Sequence, residues 1–251
     1  MYHFPIAAQL YSVRKEFADQ PLGTLKALKA MGYQGVEFAG AAVYSPEFYA
    51  ALLKESGMVC CGWHTPWEAV QDDAIQATIR LNQAVGNKYI VLPFVPGETA
   101  EDFRQRGRDL NHIADLLAPY GMRIGYHCHP GDFEIAAGDP TGLRHWDLLL
   151  AEADFRVVIQ LDLGNAMTGG ADVLAELKKY PYRSKSIHCK PYSYSKGDLP
   201  LIGEDDCPWK EVMQFCRDAG DTEWCVIEYE AKGVPVLEAM EKNLKNLKEF
   251  A

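Results

Sequence analysis

The feature that most constrains this chain is an alternation of eight short apolar runs with eight amphipathic ones, at roughly thirty residues per unit. The apolar runs read as strands at 6–10, 35–38, 58–63, 89–92, 122–126, 157–161, 184–187 and 224–227. The amphipathic runs read as helices at 21–31, 45–57, 68–85, 99–121, 139–153, 171–180, 208–218 and 234–250. Local chemistry marks their ends. Ser45-Pro46-Glu47 supplies a capping hydroxyl, a first-turn proline and an acid near the positive end of the helix dipole. Gly32, Gly57, Gly86 and Gly121 stand where left-handed backbone stops a helix. Eight such units, with no linker, low-complexity tract or charge block between them, have the count and length of a single α/β domain over residues 1–251, a (β/α)8 TIM barrel. An open doubly wound sheet is the rival topology. It usually carries a glycine-rich phosphate turn after an early strand, and neither G-x-G-x-x-G nor a Walker loop occurs.

Several of these strands end in ionisable side chains. Tyr126 leads into His127-Cys128-His129-Pro130-Gly131-Asp132-Phe133-Glu134, Leu161 into Asp162, Ile187 into His188, and Ile227 into Glu228-Tyr229-Glu230. In a barrel those ends share one rim, the rim that carries catalysis. Glu134, Asp162, His188 and Glu228 would then converge, and three carboxylates with one imidazole suit Mn²⁺, Mg²⁺ or Co²⁺ better than a structural zinc. Any one of them taken alone is as well read as an ion pair, and Asp162 before Leu163-Gly164-Asn165 as a turn former. His127 and His129 are two apart and share a face of an extended strand, where they could clamp a metal; on the fifth strand the pair reads rather as contacting substrate or orienting a ligand, with direct ligation the alternative. His64, just past the third strand, joins the candidates by position.

Composition limits the partners. The 35 acidic residues exceed the 25 basic ones, for a net charge of -10, which repels phosphate backbones and argues against nucleic acid. No apolar run reaches the roughly 18 residues of a membrane helix, and the first twenty residues lack a signal-peptide pattern, so the expectation is a cytoplasmic protein with no membrane partner. The seven cysteines are odd in number, form no C-x-x-C pair and lie beside apolar runs, which reads as buried reduced thiols; only Cys128, between two histidines, is a candidate for chemistry.

Gln9-Leu10-Tyr11-Ser12-Val13-Arg14, Gly32-Tyr33-Gln34-Gly35-Val36-Glu37, the Tyr126-to-Glu134 stretch, Leu161-Asp162-Leu163-Gly164-Asn165 and Val226-Ile227-Glu228-Tyr229-Glu230 resemble the xylose isomerase-like barrel superfamily, in particular its sugar phosphate isomerase/epimerase and inosose dehydratase branch. The resemblance implies a divalent metal, Mn²⁺ first with Mg²⁺, Co²⁺ or Zn²⁺ as alternatives, held by Glu134, Asp162, His188 and Glu228. Two departures stand out: the fifth strand offers Gly125 and Tyr126 where ketose epimerases carry a glutamate, so Glu134 must reach back from a loop, and Cys128 replaces an asparagine of related motifs. The implied reaction is isomerisation or epimerisation of a keto sugar through an enediolate, with Glu134 and Glu228 exchanging the proton on opposite faces. Loss of a β-hydroxyl from the same intermediate would make the enzyme a dehydratase instead. Glu37, His64, His127, His129, Lys190 and Trp209 would bind the sugar or orient the acids. Trp63, Trp67 and Phe94 are further stacking candidates, and Arg14 could meet a phosphate. The resemblance also implies a homo-oligomer. A metal-dependent endonuclease of the same superfamily is disfavoured by the acidic balance, and a sugar-binding barrel without catalysis by candidates at all four ligand positions.

Overall fold

The computed structural model describes residues 4–251, over which eight parallel strands form a barrel wrapped by helices. The strands are β1 (Ile6–Gln9), β2 (Gly35–Ala39), β3 (Val59–His64), β4 (Tyr89–Leu92), β5 (Arg123–His127), β6 (Val158–Gln160), β7 (Ser186–Cys189) and β8 (Trp224–Ile227). The α-helices are α1 (Arg14–Asp19), α2 (Pro21–Met31), α3 (Pro46–Ser56), α4 (Ala74–Ala84), α5 (Ala100–Leu117), α6 (His145–Glu152), α7 (Leu163–Thr168), α8 (Val173–Lys179), α9 (Trp209–Phe215) and α10 (Val236–Leu247). Strands neighbour one another in the order β6-β5-β4-β3-β2-β1-β8-β7. The remaining seam, between β6 and β7, is held by a parallel bridge from Asp162 to His188, with the His188 amide donating to the Leu161 carbonyl at 3.0 Å.

Alternation along the strands divides the core in two. Outward side chains pack against the helices in one large cluster that includes Leu110 and Leu117 of α5, Trp146 of α6 and Leu244 of α10. Inward ones form smaller groups: Ala7, Cys61 and Val226 against Trp224, and Tyr89, Val91 and Val158. Gly35 is needed there, because a Cβ on it would lie 2.9 Å from the Trp224 ring. Above these apolar groups the interior turns polar, with Gln9, Glu37, Gln160, Ser186 and His188 all buried.

β3 breaks the strict period. Val36 pairs with Cys60 but Glu37 pairs with Gly62, so Cys61 is one residue extra, a β-bulge. The bulge lets Cys61 and His64, three apart, both face the barrel interior, while Trp63 turns outward onto Phe38 and Tyr49.

Several elements differ from the sequence expectation. The 68–85 helix is split into a 3-10 turn at Trp67–Val70 and α4, because Asp72 adopts positive φ between them. The 139–153 helix begins only at His145: the Asp139 carboxylate accepts from Thr141 and Leu143 to close a turn, and Ile135 bridges Arg144 as an extended pair. α1 and α7 are additional short helices at the rim, the latter capped by the Asp162 side chain. Among the described residues no helix is long and apolar enough to cross a membrane.

Candidate metal centre and active site

Five strand ends deliver the polar side chains. His64 ends β3 and His127 ends β5; His188 lies in β7; Asp162 lies two residues past β6, and Glu228 follows β8 directly. His127, Asp162, His188 and Glu228 each present a ligand atom within 4.8 Å of the others, and all four are buried. His188 Nδ1 lies 3.0 Å from Glu228 Oε2 and 3.6 Å from Asp162 Oδ2. Two ligands at about 2.1 Å from one ion, 90–110° apart, are separated by about 3.0–3.4 Å, so this spacing is that of a coordination shell.

Asp162 gives the sharper sign. As the N-cap of α7 its Oδ1 accepts from the Asn165 amide at 2.7 Å, while its Oδ2 is buried with no hydrogen-bond partner. A buried carboxylate oxygen without a donor is costly, and a cation is what satisfies it. The residues present therefore fit a divalent ion held by two imidazole nitrogens and two carboxylates. Cys128 serves the geometry only: its sulfur accepts from the Asp162 amide at 3.2 Å, and burial pushes its thiol pKa well up, so it is no nucleophile.

Electrostatics follow from crowding. Burial pushes the His127 pKa well down, helped by repulsion from His188 and His64, so its imidazole is neutral and fit to ligate. Burial opposes charge on His188 too, but the Glu37 carboxylate, the bonds to Glu37 and Glu228 and the nearby Asp162 carboxylate win and raise its pKa. In the metal-free protein the imidazolium thus occupies the charge position of the cation. Glu228 is held well below the usual carboxylate range: burial works against this, and Lys190 and His188 overcome it. Lys190 reaches Glu228 Oε1 at 3.1 Å and Glu230 Oε1 at 2.7 Å.

Above the four residues lies a cavity of about 540 Å³ lined by Tyr11, Ala39, Gly40, His64, Pro93, Phe94, His127, His129, Glu228 and Glu230. His64 stacks on His188 with ring centres 5.1 Å apart.

Of the ligand set expected from sequence, the structure brings together Asp162, His188 and Glu228 but not Glu134. The 3-10 turn Pro130–Phe133 carries Glu134 away: Asp132 accepts from the His129 amide and from the Tyr126 hydroxyl, both at 2.6 Å, which locks the turn and leaves Glu134 exposed. His127 stands in its place. Among the expected sugar contacts, His64, His127 and His129 line the cavity. Glu37 does not; it lies fully buried beneath it. Lys190 is taken up by its two carboxylates. Trp209 is buried elsewhere, stacked near Phe250 with its indole N–H on Asp205. Trp63 donates to the Gly40 carbonyl, Trp67 lies under Arg106, and only Phe94 of the stacking candidates faces the cavity. Arg14 lies over the Tyr11 ring and donates to the Tyr11 carbonyl. Gln9 and Gln160 were overlooked, although a glutamine two residues before Asp162 on an apolar strand shares its face.

The sequence over residues 25–250 matches the family model described as xylose isomerase-like TIM barrel. The chain belongs to this family. The Rhizopine catabolism protein MocC of Rhizobium meliloti is 21% identical over 254 residues, covering 84% of this chain and 75% of that protein. The inosose dehydratase of Bacillus licheniformis is 24% identical over 156 residues, 54% of this chain, and that match spans about half (49%) of the dehydratase. In three dimensions a sugar phosphate isomerase/epimerase from Parabacteroides distasonis superposes with TM-score 0.85 at 20% identity, over 99% of this chain and 94% of the other. The IOLI protein with a bound zinc atom gives TM-score 0.70 at 12% identity, over 98% and 99%. At these identities the structural likeness speaks for the fold.

Proposed function

We propose that this family member is a divalent-metal-dependent enzyme that enolises an uncharged polyhydroxylated ketone, of sugar or cyclitol type, and expels a β-hydroxyl: a dehydratase. The observation that carries the metal is the donorless Asp162 Oδ2 facing His188 and Glu228. His127, Asp162, His188 and Glu228 would hold the ion; two imidazoles among the four ligands favour Zn²⁺, Co²⁺ or Mn²⁺ over Mg²⁺. Lewis-acid polarisation of the substrate carbonyl is the chemistry such an ion supplies when bound.

The chain's own groups support dehydration over two-carboxylate epimerisation. With Glu134 outside the cavity, the walls carry unlike groups: carboxylates Glu228 and Glu230 on the β8 side, imidazoles His64 and His129 on the β3 and β5 side. A carboxylate takes the proton next to the carbonyl, and an imidazole returns one to the departing hydroxyl. Among the described residues no lysine or arginine lines the cavity, so a phosphate would find no side-chain cation on its walls, whereas hydroxyls find acceptors and donors. Phe94 and Tyr11 offer faces for ring C–H groups. The relatives that are inosose dehydratases agree with a cyclitol ketone. Epimerisation is the second reading, because Glu230 places a second carboxylate in the cavity.

Inososes and ketohexoses incubated in D₂O with Zn²⁺, Co²⁺ or Mn²⁺ separate the readings. Dehydration gives loss of one water by mass spectrometry and the ultraviolet absorbance of a conjugated enol. Epimerisation leaves the formula intact with one carbon-bound deuterium, and no change with any metal would overturn both.

A further inference from the structure

We infer that Glu37 is a positioning residue that fixes which ring nitrogen of His188 and of His127 faces the ion, although it touches neither ion nor substrate; the inference rests on the metal centre proposed above. Glu37 is fully buried, and four side-chain nitrogens surround its carboxylate. Oε2 accepts from Gln9 Nε2 at 2.8 Å and from His188 Nε2 at 2.6 Å, with His64 Nε2 at 3.1 Å; Oε1 accepts from Gln160 Nε2 at 2.8 Å. A carboxylate is acceptor-only. His188 must therefore carry hydrogen on Nε2, which leaves Nδ1, the atom near Asp162 and Glu228, for the ion.

The same logic passes through Gln160. Its amide nitrogen is committed to Glu37 Oε1 and to Ser186 Oγ, both at 2.8 Å, so its oxygen faces the histidines. That oxygen lies 2.7 Å from His64 Nε2 and 3.1 Å from His127 Nδ1. Both must donate, which leaves Nε2 of His127 for the ion. One buried charge thus orders three imidazoles.

The backbone is shaped to admit it. The bulge at Cys61 puts Gly62 opposite Glu37, and a Cβ on residue 62 would lie 2.2 Å from Glu37 Oε1. Only glycine leaves room for the carboxylate at that depth.

The test uses uniformly ¹⁵N-labelled protein titrated with Zn²⁺, read by calorimetric affinity and by two-bond ¹⁵N–¹H spectra of the histidine rings, with melting curves as the folding control. Wild type should show His188 as Nε2–H with Nδ1 on zinc. Glu37→Gln turns a donor toward Gln9 or Gln160; it should weaken zinc about 10–100-fold and disperse the His188 pattern. Gly62→Ala, which displaces the carboxylate without removing it, should act in the same direction. Gln160→Met should alter the His127 pattern and leave that of His188 intact, a selectivity that general loosening of the barrel does not produce. Unchanged affinity and ring patterns in Glu37→Gln, with zinc lost in Asp162→Ala, would overturn the inference alone. Wild type that binds no more zinc than Asp162→Ala would overturn the metal centre and this inference with it. If Glu37→Gln does not fold, the Gly62→Ala and Gln160→Met patterns decide.

Discussion

Asp162→Asn separates the two duties of one side chain. Oδ1 caps α7 through the Asn165 amide at 2.7 Å, and an asparagine oxygen can do the same. Oδ2 has no donor, and its neighbour His188 Nδ1 is 3.6 Å away, beyond hydrogen-bond reach. In chelator-treated protein the variant should therefore melt within about 1 kcal/mol of wild type, the size of one net hydrogen bond. With metal the order changes. A ligand at 100 times its Kd stabilises the fold that binds it by about 2.7 kcal/mol. For a chain of 251 residues each kcal/mol moves Tm by about 2–4 °C. Wild type should thus gain roughly 5–10 °C on adding Zn²⁺ or Mn²⁺, and Asp162→Asn little of it. Scanning calorimetry in EDTA and then in excess metal reads both halves. Equal metal shifts in the two proteins would refute the assignment of Oδ2 as a ligand. A metal-free loss above about 3 kcal/mol would refute the division of labour between the two oxygens.

Gly107→Ala in α5 should destabilise in spite of alanine's helix propensity: the new Cβ would lie 2.3 Å from the Leu149 carbonyl oxygen and 2.7 Å from Glu152 Cβ, and overpacking of about 1–3 kcal/mol outweighs a propensity gain of about 1. A rise in Tm would show that the α5–α6 contact can spread freely. Lys190→Met leaves Glu228 and Glu230 facing each other without their shared cation, and urea titration of metal-free protein should show a loss of roughly 2–4 kcal/mol, short of the full buried-pair cost because Glu230 is 27% exposed. Near-wild-type stability would mean the pair is solvated. Asp147 is held below the usual carboxylate range; partial burial opposes this, and the Arg144 hydrogen bonds with the Arg144 and Lys179 charges outweigh it. A lowered folded-state pKa stabilises above the unfolded value and is lost as pH falls through the folded one. The stability gap between wild type and Arg144→Met should accordingly be full, about 1.5–3 kcal/mol, above pH ~5, and shrink steadily below pH ~4. A gap that is flat down to pH ~2 would contradict that linkage.

The barrel was legible because its signal is repeated: eight short, mostly apolar runs alternate with eight amphipathic ones, so errors at single boundaries leave the count of eight untouched. The missed boundaries share a cause. Asp139 and Asp72 make local turns whose side-chain bonds or positive φ compete with helix, and propensity does not register that competition. At the site, Asp162, His188 and Glu228 were legible because each ends a strand that must reach the same rim. Glu134 was misplaced because its position depends on how a turn folds, through Tyr126, His129 and Asp132, and not on strand period. Glu37 was misplaced for a different reason: it points inward as the period of two requires, but depth along the barrel axis is set by register, and the bulge at Cys61 shifts that register by one.

That depth is what ties the fold to the chemistry. A barrel of this size normally fills its interior with layers of branched apolar side chains. Here the lower layers obey, with Ala7, Cys61, Val226, Tyr89, Val91 and Val158, while the upper interior spends its volume on buried glutamine, glutamate and histidine. Buried polar groups of this kind destabilise a core unless each finds a partner. Gln9, Glu37, His64, His127, Gln160, Ser186 and His188 all do, through bonds of 2.6–3.1 Å to one another. In the cluster that rests on this network, the Asp162 Oδ2 atom is the buried side-chain oxygen left without one. A network so fully satisfied at its base, and unsatisfied at the single point where His127, His188 and Glu228 converge, is the arrangement expected when the missing partner arrives from solution.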